Sequence, residues 1–124
     1  MHADDFVADS LVRMVEIHVV AGDVTIALST AAEAEAAVAR LGEVAILPST
    51  LSRLHGRGLL LAGRGEEARA KFEAAFDLAT ADGFVYEAAL ASMGLGRIDR
   101  DENRVSDALE QLAALGVLAP PPGS

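Results

Sequence analysis

The chain has 124 residues, 52% hydrophobic and 23% charged, which fits one globular domain and excludes a disordered segment. Cysteine is absent, which excludes disulfides and thiolate metal sites. The formal net charge is −9, which argues against direct nucleic-acid binding, because that requires a basic surface.

The N-terminus carries no signal-peptide pattern, and no apolar run reaches the length that spans a membrane. The sequence therefore predicts a cytoplasmic protein that does not contact a membrane.

Hydrophobic periodicity predicts six helices in chain order. They cover residues 4–20, 24–41, 48–62, a segment between the turn at 63–65 and Gly83, 84–98 and 103–115. Asp23 is the predicted N-cap of the second helix, and Gly83 is the predicted left-handed stop of the fourth. The short connections predict that consecutive helices pack as antiparallel hairpins.

Residues 43–47 (EVAIL) fit three interpretations: a short strand, a loop packed on the core, or an early start of the third helix. Pro48 favours a regular helix that begins at that residue. We expect an ordered connection in which Ile46 and Leu47 are buried. After the sixth helix, residues 119–124 form a proline-rich tail that cannot continue a helix.

The three hairpins share an internal repeat. Alanine follows each turn at Ala27, Ala68 and Ala108, which are spaced by 41 and 40 residues. A small residue stands twelve positions before each alanine, and these residues are Val15, Gly56 and Gly96. The near-constant period predicts a solenoid of three units, at about 4–42, 43–83 and 84–116, within a single domain at 1–118. Gly94 and Gly96 predict a helix crossing at close range.

The middle unit, with Gly56, Ala68 and Phe72, resembles the tetratricopeptide repeat. The last unit repeats the pattern with Leu95-Gly96, Ala108 and Leu112, and the first follows it more weakly. The period of about 40 is longer than the roughly 34 residues of that family, and the aromatic residue of the first helix is missing. The resemblance implies an all-α fold of three antiparallel helix pairs stacked as a right-handed, tetratricopeptide-like superhelix.

The segments EEARAKFEAAFDLATADG, YEAALASMGLGRI and ALEQLAALGVLAPPP are similar to helical repeats of large bacterial signalling ATPases. LuxR-type regulators and proteins with adenylate/guanylate cyclase-like domains belong to that group. The resemblance implies a protein-interaction or sensor-coupling module in signal transduction or transcription regulation, with no catalytic residues to transfer.

Residue patterns predict no enzyme, no cofactor and no metal site. His18 and His55 fall in neighbouring units, but two hydrogen-bonded, partly buried histidines are a better interpretation than a metal pair. Asp99, Asp101 and Glu102 lack the glycine and terminal glutamate of a calcium loop, which favours a solvated turn with an N-cap.

The candidate partner site is the concave surface formed by the first helix of each pair. Repeat register places on or near it the residues Arg13, Glu16, Arg53, Arg57, Arg97 and Arg100. Arginines gathered on one face of an acidic protein suit an acidic peptide or a carboxylate terminus. The alternative is that they pair with neighbouring carboxylates and stay solvated.

Two further interpretations remain open. The first helix is apolar on most sides, which predicts docking to another copy of the chain or to preceding repeats. A small-molecule sensor is the alternative function, and a shared pocket lined by Phe72, Phe76, Phe84 and Tyr86 would favour it.

Overall fold

The computed structural model describes residues 3–40 and 47–117, with side chains from residue 7 onward. The all-α prediction is confirmed, since this part of the chain contains six helices and no strand. They are α1 (Ala3–Ala21), α2 (Val24–Ala39), α3 (Leu47–Leu61), α4 (Gly65–Ala81), α5 (Val85–Asp99) and α6 (Glu102–Ala114). Their ends match the predicted ones to within about two residues.

The connection before α3 is described only at its end. Helix α3 begins at Leu47, one residue before the predicted start at Pro48, and Leu47 is half-buried against the core. The predictions for residues 43–46 and for the tail at 119–124 lie outside the described residues.

The helix ends show which turn predictions hold. Gly83 follows α4 with φ +75°, the left-handed stop that was expected. The carboxylate of Asp101 caps α6 by accepting a hydrogen bond from the backbone N–H of Arg104 at 3.1 Å. Asp23 occupies the N-cap position of α2, but its carboxylate makes no cap hydrogen bond and lies 3.8 Å from His18 Nδ1 instead. The prediction for Asp23 was therefore right about its position at the N-terminus of α2 but wrong about a capping hydrogen bond from its side chain.

The helices form two layers. Within the described residues the backbone of α3 approaches those of α1 and α5, whereas α2 and α4, and likewise α4 and α6, meet only through side chains. Each hairpin joins one helix of the first layer to one of the second. We call α1, α3 and α5 the inner layer, because their backbones approach one another directly from each hairpin to the next.

Phe72 fills the space between three helices. The ring is fully buried, and a methyl group on Gly56 of α3 would lie 3.0 Å from its Cδ2 atom. A methyl group on Gly94 of α5 would lie 2.5 Å from Cε1, on the other edge of the ring. Gly96 approaches α6 in the same way, 2.9 Å from Val105 Cγ2. The close crossings predicted from these glycines are confirmed.

A membrane-crossing helix is not found among the residues that the structure describes, since none combines the necessary length with sufficient apolar character.

Candidate partner-binding groove

A cleft of about 280 Å³ opens between α1, α3 and the start of α5. We call it the groove. Three of the six predicted site residues line it: Arg13, Glu16 and Arg53. Tyr86 and Glu87, from the first turn of α5, complete the wall on the other side.

Arg13 stands at the outer edge of the groove. It is exposed, and its Nε donates to Asp9 Oδ2 at 3.0 Å, one helical turn away on α1. The hydrogen bond and the charge of Asp9 raise the pKa of Arg13. For this residue the alternative interpretation holds, since it pairs locally in solvent and such pairs contribute little.

Arg53 lies at the floor of the groove and is buried, as is its partner Glu87. Nε of Arg53 donates to Glu87 Oε2 at 2.8 Å, and Thr50 Oγ1 donates to Oε1 at 3.1 Å. The ion pair joins α3 to α5 across the inner layer. Two buried charges of opposite sign satisfy one another here, so Arg53 shapes the groove more than it offers a free charge.

Glu87 was missed from the sequence, although a signal for it exists. It lies on the same helical face as Leu90, Ala91 and Gly94, all of which are buried. A carboxylate on an apolar helical face predicts a buried cation opposite it, because a lone buried charge is costly. The partner could be sought among the arginines of the preceding inner helix.

Arg57 lies near two of the other predicted site residues, Arg53 and Arg97. It is half-buried one turn beyond Arg53, and burial lowers its pKa, as do the positive charges of Arg97 and Arg53 nearby. Arg57 therefore lies within interaction range of both Arg53 on α3 and Arg97 on α5. Glu87 neutralises Arg53 within this group, and the chain as a whole carries a net charge of −9.

Arg97 and Arg100 border a second cleft, of about 480 Å³, between α5 and α6. We call it the end cleft. Both side chains are exposed, and Arg100 adopts the left-handed conformation with φ 55° after α5. The six predicted residues therefore do not line one surface. The groove holds three of them and the end cleft two, and Arg57 lies near both Arg53 and Arg97.

The histidines and acidic residues have structural partners. His55 Nδ1 lies 2.6 Å from Glu35 Oε1, and His18 faces Asp23. Asp99 accepts two hydrogen bonds from Arg69, which lower the pKa of Asp99. Across residues 3–40 and 47–117, no cluster of three or more histidine, aspartate or glutamate side chains could hold a metal ion.

The four aromatic residues that were expected to line a sensor pocket do not share one. Phe72 is sealed in the core, whereas Tyr86 faces the groove. Phe76 and Phe84 line a third cleft, of about 340 Å³, together with Val85 and Gln111. The pocket that would have favoured a sensor is therefore absent in that form from the described part of the chain.

Comparisons with protein-family models, with curated proteins and with solved structures find no match to this chain.

Proposed function

We propose that the chain is a non-enzymatic, tetratricopeptide-like interaction module whose inner surface binds an acidic segment of a partner protein. The observation that carries the proposal is the placement of Arg57 and Arg97 on the neighbouring inner helices α3 and α5 of an acidic protein, within range for their charges to interact. The resemblance to repeats of bacterial signalling proteins supports a cytoplasmic setting in a signalling or transcriptional regulator.

The electrostatics of Arg57 support an anionic ligand. Burial and two neighbouring positive charges disfavour its charged form, as the lowered pKa reflects. A ligand carboxylate would offset that repulsion and accept charge-assisted hydrogen bonds from guanidinium groups. Tyr86 adds an exposed aromatic surface at the edge of the groove, which suits the apolar side chains of a peptide.

Effector sensing is the second candidate. The third cleft, lined by Phe76, Phe84 and Val85, is mostly apolar and has a volume in the range of small-molecule sites. An apolar ligand there would contact α4, α5 and the Gln111 side of α6, and could change the packing of the last hairpin.

Fluorescence anisotropy with a labelled peptide rich in Asp and Glu tests the first proposal. We expect Arg57→Ala and Arg97→Ala each to weaken binding roughly tenfold, because a hydrogen bond to a charged group is worth about 1.5–3 kcal/mol. Arg64→Ala is the matched control, since Arg64 pairs with Glu67 within its own turn. An amidated peptide separates a terminal carboxylate from acidic side chains.

Two outcomes would contradict binding of an acidic peptide at Arg57 and Arg97. One is equal affinity for a peptide in which Gln replaces Glu and Asn replaces Asp. The other is a loss of affinity in Arg64→Ala as large as in Arg57→Ala.

A further inference from the structure

Each hairpin offers an angle between its two helices into which the inner helix of the next hairpin can pack, and we call this angle a seat. Two seats are filled within the chain, and the end cleft is the third. The first filled seat lies on the α1–α2 hairpin, and α3 occupies it. A methyl group on Gly58 of α3 would lie 3.2 Å from Leu28 Cδ2 and 3.9 Å from Val19 Cγ2. The second half of α3 therefore packs closely into the angle between α1 and α2.

The second filled seat lies on the α3–α4 hairpin, and α5 occupies it. Arg69 stands one repeat after Leu28 and donates from Nε to Asp99 Oδ1 at 3.0 Å. Arg57 of the same hairpin lies close enough to Arg97 for the two charges to interact. Leu28 and Arg69, which each contact the next inner helix, are thus at equivalent positions in the two hairpins.

The third seat, on the α5–α6 hairpin, is the end cleft. Its wall includes Gly96, Arg100 and Leu109. Arg100 and Leu109 stand one repeat after Leu60 and Arg69, and two repeats after Val19 and Leu28, the pair that contacts Gly58. Leu109 is 40% exposed. The cleft is mostly apolar and large enough for side chains of a helix to enter.

Helix α1 presents the complementary half of this contact. Ile17 stands one repeat before Gly58, and with 62% of its surface exposed it is the most exposed large apolar residue of the described chain. Met14 stands one repeat before His55 and is 44% exposed. In α3 and α5 the equivalent face is covered by the preceding hairpin, whereas in α1 it faces solvent.

We propose that copies of the chain associate head to tail, with α1 of one copy seated in the end cleft of the next. Ile17 of the incoming copy would then lie opposite Leu109, at the register position that Gly58 holds opposite Leu28, with the two helices further apart to accommodate the isoleucine side chain. The two halves do not meet within one molecule, because among the described residues the backbone of α1 approaches neither that of α5 nor that of α6. Such a contact is heterologous, so it adds copies one after another and produces a linear stack, or a ring where the rotation per copy closes.

The occupant is a second copy because both halves of the contact belong to this chain and continue an interface that the chain builds twice. Net charge opposes the association, since each copy carries −9. Salt screens that repulsion between the copies, whereas it does not weaken the apolar contact between them. Association should therefore strengthen with salt, whereas binding of an acidic peptide to the arginines should weaken.

Sedimentation velocity on two variants tests the proposal. The wild-type chain should form a concentration-dependent series of species larger than a dimer, and Ile17→Glu and Leu109→Glu should each be monomeric alone. An equal mixture of the two should form dimers only, because each variant retains one intact end. Leu78→Glu, at an equally exposed leucine of α4, should behave as the wild type. Circular dichroism checks that all variants stay helical.

Three results would overturn the proposal. One is a wild-type chain that stays monomeric at millimolar concentration in high salt. Another is self-association that is lost in Ile17→Glu but kept in Leu109→Glu, which indicates pairing of α1 with α1. The third is a mixture of the two variants that stays monomeric. Peptide binding is measured on the monomeric variants, so this proposal and the proposed function can fail separately.

Discussion

The guanidinium of Arg53 on α3 and the carboxylate of Glu87 on α5 form a buried ion pair with an Nε–Oε2 distance of 2.8 Å. Helices α3 and α5 belong to successive hairpins, so this pair connects them independently of α4. Thr50 donates a further hydrogen bond to the same carboxylate. The result is a buried polar link between two helices of the inner layer.

Arg53→Met should destabilise the protein by about 3–5 kcal/mol, because it leaves the charge of Glu87 buried without its partner. Adding Glu87→Met should recover most of that loss, since two apolar side chains replace two charges. Urea denaturation gives both free energies of unfolding. A single variant that loses less than about 1 kcal/mol would show that the pair is open to water.

Gly94→Ala should lower the free energy of unfolding by about 1–3 kcal/mol, because its methyl group would overlap the sealed ring of Phe72. Alanine normally stabilises a helix by about 1 kcal/mol relative to glycine, so the overlap must exceed that gain. Gly65→Ala is the control, since nothing lies within 4 Å of the added methyl group. Thermal melting should show opposite shifts for the two variants.

Ala68→Leu tests the close approach of α3 and α4. Ala68 is fully buried, and its carbonyl oxygen would lie 3.3 Å from a methyl group on Gly56. Three added carbons have no space there, so we expect a loss of about 1–3 kcal/mol. Ala70→Leu, on the exposed side of α4, should leave the melting temperature nearly unchanged. An unaltered melting temperature in Ala68→Leu would contradict the packing described.

The pH dependence of stability should include a contribution from Glu35. Burial raises the pKa of this carboxylate, but hydrogen bonds from Lys71 and His55 outweigh that effect, and the net pKa is lowered. A lowered folded-state pKa stabilises the protein above the unfolded value, which is about 4.3, and the stabilisation is lost as pH falls through the folded value.

The melting temperature of Glu35→Gln should therefore lie below the wild-type value at neutral pH, and the difference should disappear as the pH falls below about 4. Glu33→Gln, at an exposed residue of the same helix, should match the wild type throughout. A difference that persists undiminished at pH 3 would show that the charge of Glu35 is not its source.

The helices could be predicted because the signals for them are local. Apolar spacing sets each helical face, and glycine after the last turn sets its end, as at Gly83. The repeat added one long-range result, since it predicted the close approach of two helices at Gly56 and Gly96. Asp23 shows the limit of local reasoning: N-caps favour aspartate, but this carboxylate makes no cap hydrogen bond and lies near His18 instead.

The candidate site could be predicted only in part. Register brought Arg57 and Arg97 to neighbouring inner helices, and the structure places their charges within interaction range. The repeat register could not show that Arg53 is buried, because its burial depends on the ion pair with Glu87, which lies 34 residues away on α5. Nor could the register show that Arg100 lies outside the groove. Arg100 follows α5 in the left-handed conformation and borders the end cleft.

The ring of Phe72 belongs to two hairpins at once, because Gly56 and Gly94 contact its opposite edges. A designer who shuffled these hairpins as cassettes would have to move this residue together with both glycines. A duplicated middle hairpin would bring Leu54, which stands one repeat before Gly94, against the second edge of the ring. Lengthening the protein by copying its central hairpin therefore requires a glycine in place of that leucine. A module that can be exchanged without other changes must include the part of α5 that contains Gly94.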